Sequence, residues 1–142
     1  MINIDTLTAE KVKALLPKIL QIDEGNFEQK LVEQPSTYTL FATLHAEAIK
    51  SETRSEILLE NYIAERKVQV REQGSSTQKK LTADAVEAII SSDAKVQTLK
   101  INCCDATYKV NLLKGVLKGL DHQKDCLIQV SANKRKEKDL YT

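Results

Sequence analysis

The chain has no tryptophan, two phenylalanines, four tyrosines, four glycines and two prolines among its 142 residues. Turn-rich β folds and tightly looped enzymes draw heavily on glycine and proline, which supply the backbone geometries that turns require. A chain poor in both reads as long helices joined by few loops. Four scattered glycines cannot supply a GxGxxG or GxxxxGK[S/T] loop, so nucleotide hydrolysis by a standard P-loop is excluded. Three cysteines, with Cys103 and Cys104 adjacent, do not make a disulfide framework and fit a reducing cytoplasm. No stretch approaches the roughly 18 apolar residues of a membrane-spanning helix. The start, Met-Ile-Asn-Ile-Asp, has neither a basic opening nor a long apolar run. The expectation is a cytoplasmic protein with no membrane partner.

What the chain does have is charge. Acidic and basic residues make up 29% of it and nearly cancel, at +1 overall. Their distribution is uneven: residues 1–60 hold six Lys/Arg and ten Asp/Glu, while residues 61–142 hold fifteen and ten. An acidic first part and a basic second part are compatible with a polyanionic partner.

Apolar periodicity places the helices. Residues 7–21 form a short amphipathic helix in which Leu7, Val12, Leu15, Leu16, Ile19 and Leu20 share one side, with Pro17 expected to kink it. Asp23 to Gly25 should end it. Residues 26–35 read either as a further short helix or as an extended piece, with Phe27 and Leu31 as anchors. Pro35-Ser36 is read as the start of a long helix with Ser36 as N-cap. A 3-4 repeat then runs through Phe41, Leu44, Ala48, Ser51, Ser55, Leu58 and Tyr62, with no breaker before Gly74. Residues 73–81 (QGSSTQKKL) read as a loop. Thr82 should cap a short helix, with Asp84 in its first turn, and Ser91-Ser92-Asp93 reads as a second break or a cap.

The strongest pattern begins at Asp93. Val96, Leu99, Cys103, Ala106, Val110, Leu113, Leu117, Leu120, Lys124 and Leu127 alternate by three and four, a heptad seam with Lys124 as its one charged interruption. Leu112, Val116 and Ile128 widen the apolar stripe, which suits packing against more than one helix. The expected fold is all-α: an elongated antiparallel hairpin of two long helices over residues 35–142, preceded by a short helical segment at 1–34. Its exposed apolar flank predicts homo-oligomerisation through helix packing. Leu99, Cys103, Val110, Leu113, Leu117, Leu120 and Leu127 form the core or oligomer seam.

Catalytic chemistry finds no foothold. His122 and Cys126 lie four apart on one helix face, as two zinc ligands could, but no second pair accompanies them. The bland reading is an exposed His and a half-buried Cys, and Cys103 on the seam behaves as a small hydrophobe. Carboxylate pairs such as Glu56 and Glu60 read as solvated faces. The expectation is a non-enzyme with no cofactor and no metal. Basic clusters remain: Arg66, Lys67 and Arg71, continued by Lys79 and Lys80; Lys134, Arg135 and Lys136 near the C-terminus, with Lys138 beyond; and the one-turn pair Lys114 and Lys118. One such cluster is ordinarily a solvated surface. Repeated around a symmetric assembly it supplies many phosphate contacts at once. Aromatics for base stacking are sparse, so any nucleic-acid binding should be backbone-driven and salt-sensitive.

Four segments, taken in order, resemble a known family. A long helix ends in a basic stretch (NYIAERKVQVRE), then come a polar loop (QGSSTQKK), a short helix (TADAVEAIISSD) and a long final helix closing on LKGLDHQKDCLIQVSANKRKE. Over roughly residues 35–138 this layout resembles the UvsY recombination mediators of tailed phages. The resemblance implies a non-catalytic protein that oligomerises, as a ring, binds single-stranded DNA and helps load a RecA-like recombinase while displacing a single-strand-binding protein. It places DNA contacts at Arg66, Lys67 and Arg71. Lys79, Lys80, Lys134, Arg135 and Lys136 join them on charge alone. A phage-encoded protein of this kind would work in the host cytoplasm. The chain departs from the family in its acidic N-terminal extension and its few aromatics. The rival expectation is a helical phage structural, assembly or adaptor protein, whose heptads exist for a protein partner.

Overall fold

A computed structural model describes residues 2–76 and 80–142. Most of the described residues are helical, with no strand among them. A single 3-10 turn at Ile4–Thr6 leads into α1 (Ala9–Leu20), α2 (Phe27–Ser76), α3 (Ala83–Ser92) and α4 (Ala94–Leu140). No helix among the described residues is long and apolar enough to cross a membrane. Contacts divide the chain into two units, one of residues 1–47 and 109–142 and one of residues 48–108.

In the first unit α1 begins where its cap dictates. Thr8 Oγ1 accepts the N–H of Lys11 at 3.3 Å, satisfying a donor that the first turn cannot pair internally. Pro17 lies inside α1, as its position in the sequence implied. The turn after α1 is closed by two side chains. Asp23 Oδ1 accepts the N–H groups of Gly25 and Asn26, while Asn26 Oδ1 accepts that of Asp23. That reciprocal pair launches α2 at Phe27, well before the Pro35-Ser36 start read from the sequence.

Pro35 therefore sits within α2, where proline ordinarily costs about 3 kcal/mol. Tertiary contacts on both sides outweigh that cost: Phe27 and Phe41 are buried, and Gln34 donates to the Leu120 carbonyl at 3.1 Å. Ser36 is no cap; its hydroxyl donates to the Glu33 carbonyl within the helix. Lys134 meets Phe27 and Gln34 meets Leu120, so these stretches of α2 and α4 run in opposite directions. Leu44, Leu113, Val116, Leu120 and Leu127 complete the core with Val12 of α1.

α1 explains the breadth of the stripe on α4. A β-carbon at Gly119 would stand 3.0 Å from Leu20 Cδ1, so glycine is what lets α1 approach this closely. The flank facing α1 draws Val116 and Gln123 inward, and Gln123 is 5% exposed. The seam position assigned to Lys124 is thereby corrected: Lys124 is exposed, near Asp121, and the polar residue inside is its neighbour. Ile128, counted with the stripe, is also exposed.

In the second unit the later part of α2, all of α3 and the first part of α4 enclose Val70, Val86, Ile90 and Val96, with Leu59, Tyr62 and Ile63 packed against them. Thr82 caps α3 as the sequence predicts, its hydroxyl accepting the N–H of Ala85 at 3.2 Å. Ala48 is buried and Ser55 and Tyr62 are half-buried, in keeping with the repeat on α2. Ser51 and Leu58 are exposed, and Glu52 and Leu59 turn inward in their place. A straight α-helix drifts about 20° per heptad against a strict 3.5 repeat, so the contact face moves on by one residue. α2 continues through Gly74, which is buried, to Ser76, so the first residues of the predicted loop are helical. One glycine costs a helix only about 1 kcal/mol, and burial of Val70 a turn earlier holds the end in place. Residues 77–79 lie outside those described.

Candidate nucleic-acid interface

Arg66 and Lys67 lie on the side of α2 that meets α3 and the start of α4. Geometry there is set by Asp93, the single residue between those two helices. Its N–H donates to the Ile90 carbonyl and closes α3. Its Oδ1 accepts the N–H groups of Lys95 at 2.8 Å and Val96 at 3.4 Å, opening α4. Its Oδ2 accepts the Tyr62 hydroxyl at 3.0 Å and Arg66 Nε at 3.1 Å. Lys95 Nζ lies 4.6 Å above the Tyr62 ring centre, adding a cation–π contact to the same corner. One residue, through its backbone N–H and its carboxylate, thus fastens three helices.

The protonation states follow. Burial pushes the Asp93 carboxyl upward, but hydrogen bonds from Tyr62, Lys95, Val96 and Arg66 outweigh it and hold the group below its ordinary range. Burial first, then the Asp93 carboxylate, raises the Tyr62 hydroxyl above its usual value against the opposing Arg66 charge. Tyr62 is therefore a donor throughout the neutral range.

Lys67 pairs with Glu87 of α3 at 2.8 Å, and the pair is more open to water than the Asp93 corner. The Lys67 hydrogen bond and charge lower the Glu87 carboxyl, with a further contribution from Lys100 on α4. Of the three α2 cations singled out in the sequence, Arg66 and Lys67 are thus engaged by acids of the same unit. Sequence reading misses the acids, because partners so many turns away along the chain leave no periodic signal. The one available sign is the Ser-Ser-Asp sequence at 91–93, which reads as a break or a cap.

The remaining basic positions are dispersed. Arg71 and Lys80 are exposed, Arg71 with interactions of its own, and Lys79 lies outside the described residues. In the first unit Lys134 stands 4.4 Å over the Phe27 ring, while Arg135 and Lys136 are exposed on the last turns of α4. The predicted seam residues face inward: Leu113, Leu120 and Leu127 are buried, and Leu99, Cys103, Val110 and Leu117 are half-buried.

Thiol and metal chemistry draw no support from the geometry. Burial raises the Cys103 thiol, followed by Glu56, Cys104 and Glu52, which disfavours the nucleophilic thiolate. His122 and Cys126 are both exposed on α4. Among the described residues no three His, Cys, Asp or Glu side chains gather as metal ligands. Apolar side chains are, by contrast, abundant outside. On α2, Ile57, Leu58 and Val68 are each at least half exposed, and Ile57 and Leu58 edge a shallow groove with Lys50, Thr53 and Arg54. Comparison with protein-family models, with characterised proteins and with solved structures yields no match.

Proposed function

We propose that the protein is a non-catalytic, oligomeric single-stranded-DNA-binding protein that acts as a recombination mediator, helping to load a RecA-like recombinase. The observation that carries this reading is the order α2–α3–α4 around the basic end of α2. A long helix, a short capped helix and a second long helix follow one another as the resemblance to UvsY mediators requires. Arg66 and Lys67 are held at the meeting point of the three helices. In this reading the long helices pair as an antiparallel hairpin, and the exposed Ile57, Leu58 and Val68 of α2 are covered by other copies. Repetition multiplies a modest basic surface, so affinity comes from many phosphate contacts and falls steeply with salt.

A second reading has its own observation. Arg66 and Lys67 already have acidic partners, and the exposed apolar groups of α2 suit a protein surface. The protein is then a helical structural, assembly or adaptor component working by protein contact alone.

Mass photometry with and without an unlabelled oligothymidylate, together with anisotropy of a labelled one, separates the two. The mediator reading expects an assembly larger than a monomer and binding that weakens as a power of salt concentration. An intact assembly with no binding at low salt would refute it in favour of the second.

A further inference from the structure

Glu87 occupies an unusual place among the charges of the second unit. It lies on α3, one turn from the N-terminus, yet its carboxylate reaches Lys67 of α2 at 2.8 Å and feels the charge of Lys100 on α4. An acid of α3 is thus paired with a lysine of α2 and lies in the field of a second lysine on α4. The acid is 60% exposed and Lys67 is 34% exposed, so the pair can open without disturbing the core beneath it, where Val86 and Ile90 are buried. The Arg66–Asp93 pair differs. Asp93 Oδ2 also holds Tyr62, Oδ1 caps α4, and the carboxylate is only 13% exposed. Opening that pair would strand a corner on which three helices depend. Of the two acids, only Glu87 is free to exchange.

We propose that Glu87 is a built-in competitor for Lys67, an internal stand-in for the phosphate of a bound nucleic-acid backbone. It weakens anion binding at this face and makes occupancy depend on how many phosphates arrive together. The inference rests on the mediator reading and deepens it. A single phosphate offers Lys67 no more than Glu87 already does, since the carboxylate is tethered and the phosphate must be recruited from solution. A polyphosphate backbone spanning several copies of the chain supplies the extra interactions that tip the exchange. Glu87 thereby discriminates between isolated phosphate groups and a continuous backbone.

The test is a double-mutant cycle on the full chain. Wild type, Glu87→Gln, Lys67→Gln and the double variant are titrated with a fluorescein-labelled oligothymidylate at several salt concentrations, and circular dichroism checks that each keeps its helices. Glu87→Gln should bind about two- to fivefold tighter, the range of an exposed ion pair. Its log affinity against log salt should steepen by about 0.7, the slope that one more neutralised phosphate adds on a single strand. In the Lys67→Gln background the same change should leave affinity unaltered. Equal affinity of Glu87→Gln and wild type, with wild type binding, overturns this inference and leaves the mediator reading standing. Tighter binding that persists without Lys67 also overturns it, because the effect is then general charge repulsion. Binding by neither wild type nor Glu87→Gln overturns this inference and the mediator reading together. Binding by Glu87→Gln alone also overturns the inference, because a continuous backbone then fails to displace Glu87 in the native chain.

Discussion

Gln123 donates from its side-chain amide to the carbonyl of Ile19 at 2.6 Å, across 104 residues of sequence. Ile19 lies in the last turn of α1, whose carbonyls have no partner inside the helix. Its neighbours are met in the same way: Lys30 donates to the Lys18 carbonyl and Asn26 to that of Gln21. The end of α1 is thus closed by side chains from α2, α4 and the turn after α1.

Replacing Gln123 with leucine keeps the bulk and removes the donor. The Ile19 carbonyl is then left unsatisfied, and the variant should lose about 1–3 kcal/mol in urea unfolding. Lys124→Gln, one residue away on the exposed face, should stay within about 0.5 kcal/mol of wild type. Equal losses at the two positions would contradict the assignment of Gln123 to the interior.

Gly115 and Gly119, one turn apart on α4, should respond oppositely to alanine. Gly115 has open space where a β-carbon would go, so Gly115→Ala should stabilise α4 by about 0.5–1 kcal/mol. Gly119→Ala brings its methyl to 3.0 Å from Leu20 and should forfeit that benefit as α1 is pushed outward. Thermal melts of the two variants, compared under one buffer, decide it: the Gly115 variant should melt higher.

These positions also show what the sequence can reveal. The heptad on α4 is legible because each inward residue repeats the same burial, and Thr82 is legible because a cap is a local device. The shift from Lys124 to Gln123 is not legible, since it depends on α1 arriving from far away in the chain. The start of α2 is hidden for a related reason. Proline's local preference points to residue 35, and Phe27 and Phe41 on either side of it prevail through tertiary burial that no window of sequence contains. At the candidate site the cations are visible as a run, whereas Asp93 and Glu87 are hidden among ordinary acids.

The Asp93 corner should set both ends of the pH range of the second unit. A carboxyl held below its unfolded value of about 3.9 adds stability above that pH and loses it as pH falls through the lower folded value. A tyrosine raised above about 10 adds stability below that pH and loses it as pH rises through the folded value. Hydrogen exchange of α3 amides should therefore accelerate at both extremes. Asp93→Asn retains a capping oxygen but not the charge, and should flatten the acid limb; Tyr62→Phe should flatten the alkaline one.

Lys134 and Phe27 offer a test in the first unit. Lys134→Met keeps the aliphatic stem over the ring and removes the ammonium 4.4 Å from its centre. The loss should be about 0.5–1 kcal/mol by chemical denaturation. In a Phe27→Leu background the same change should cost nothing further, which a double-mutant cycle measures directly.

Asp93 is also the whole of the connection between α3 and α4. A helix turns about 100° per residue. One residue added between Ser92 and Ala94 would swing Val86 and Ile90 off their core, and one removed would do the same in the other sense. Most surface joints tolerate a change of length better than a change of core residue. This joint reverses the rule, so its spacing is as much a part of the code as its chemistry.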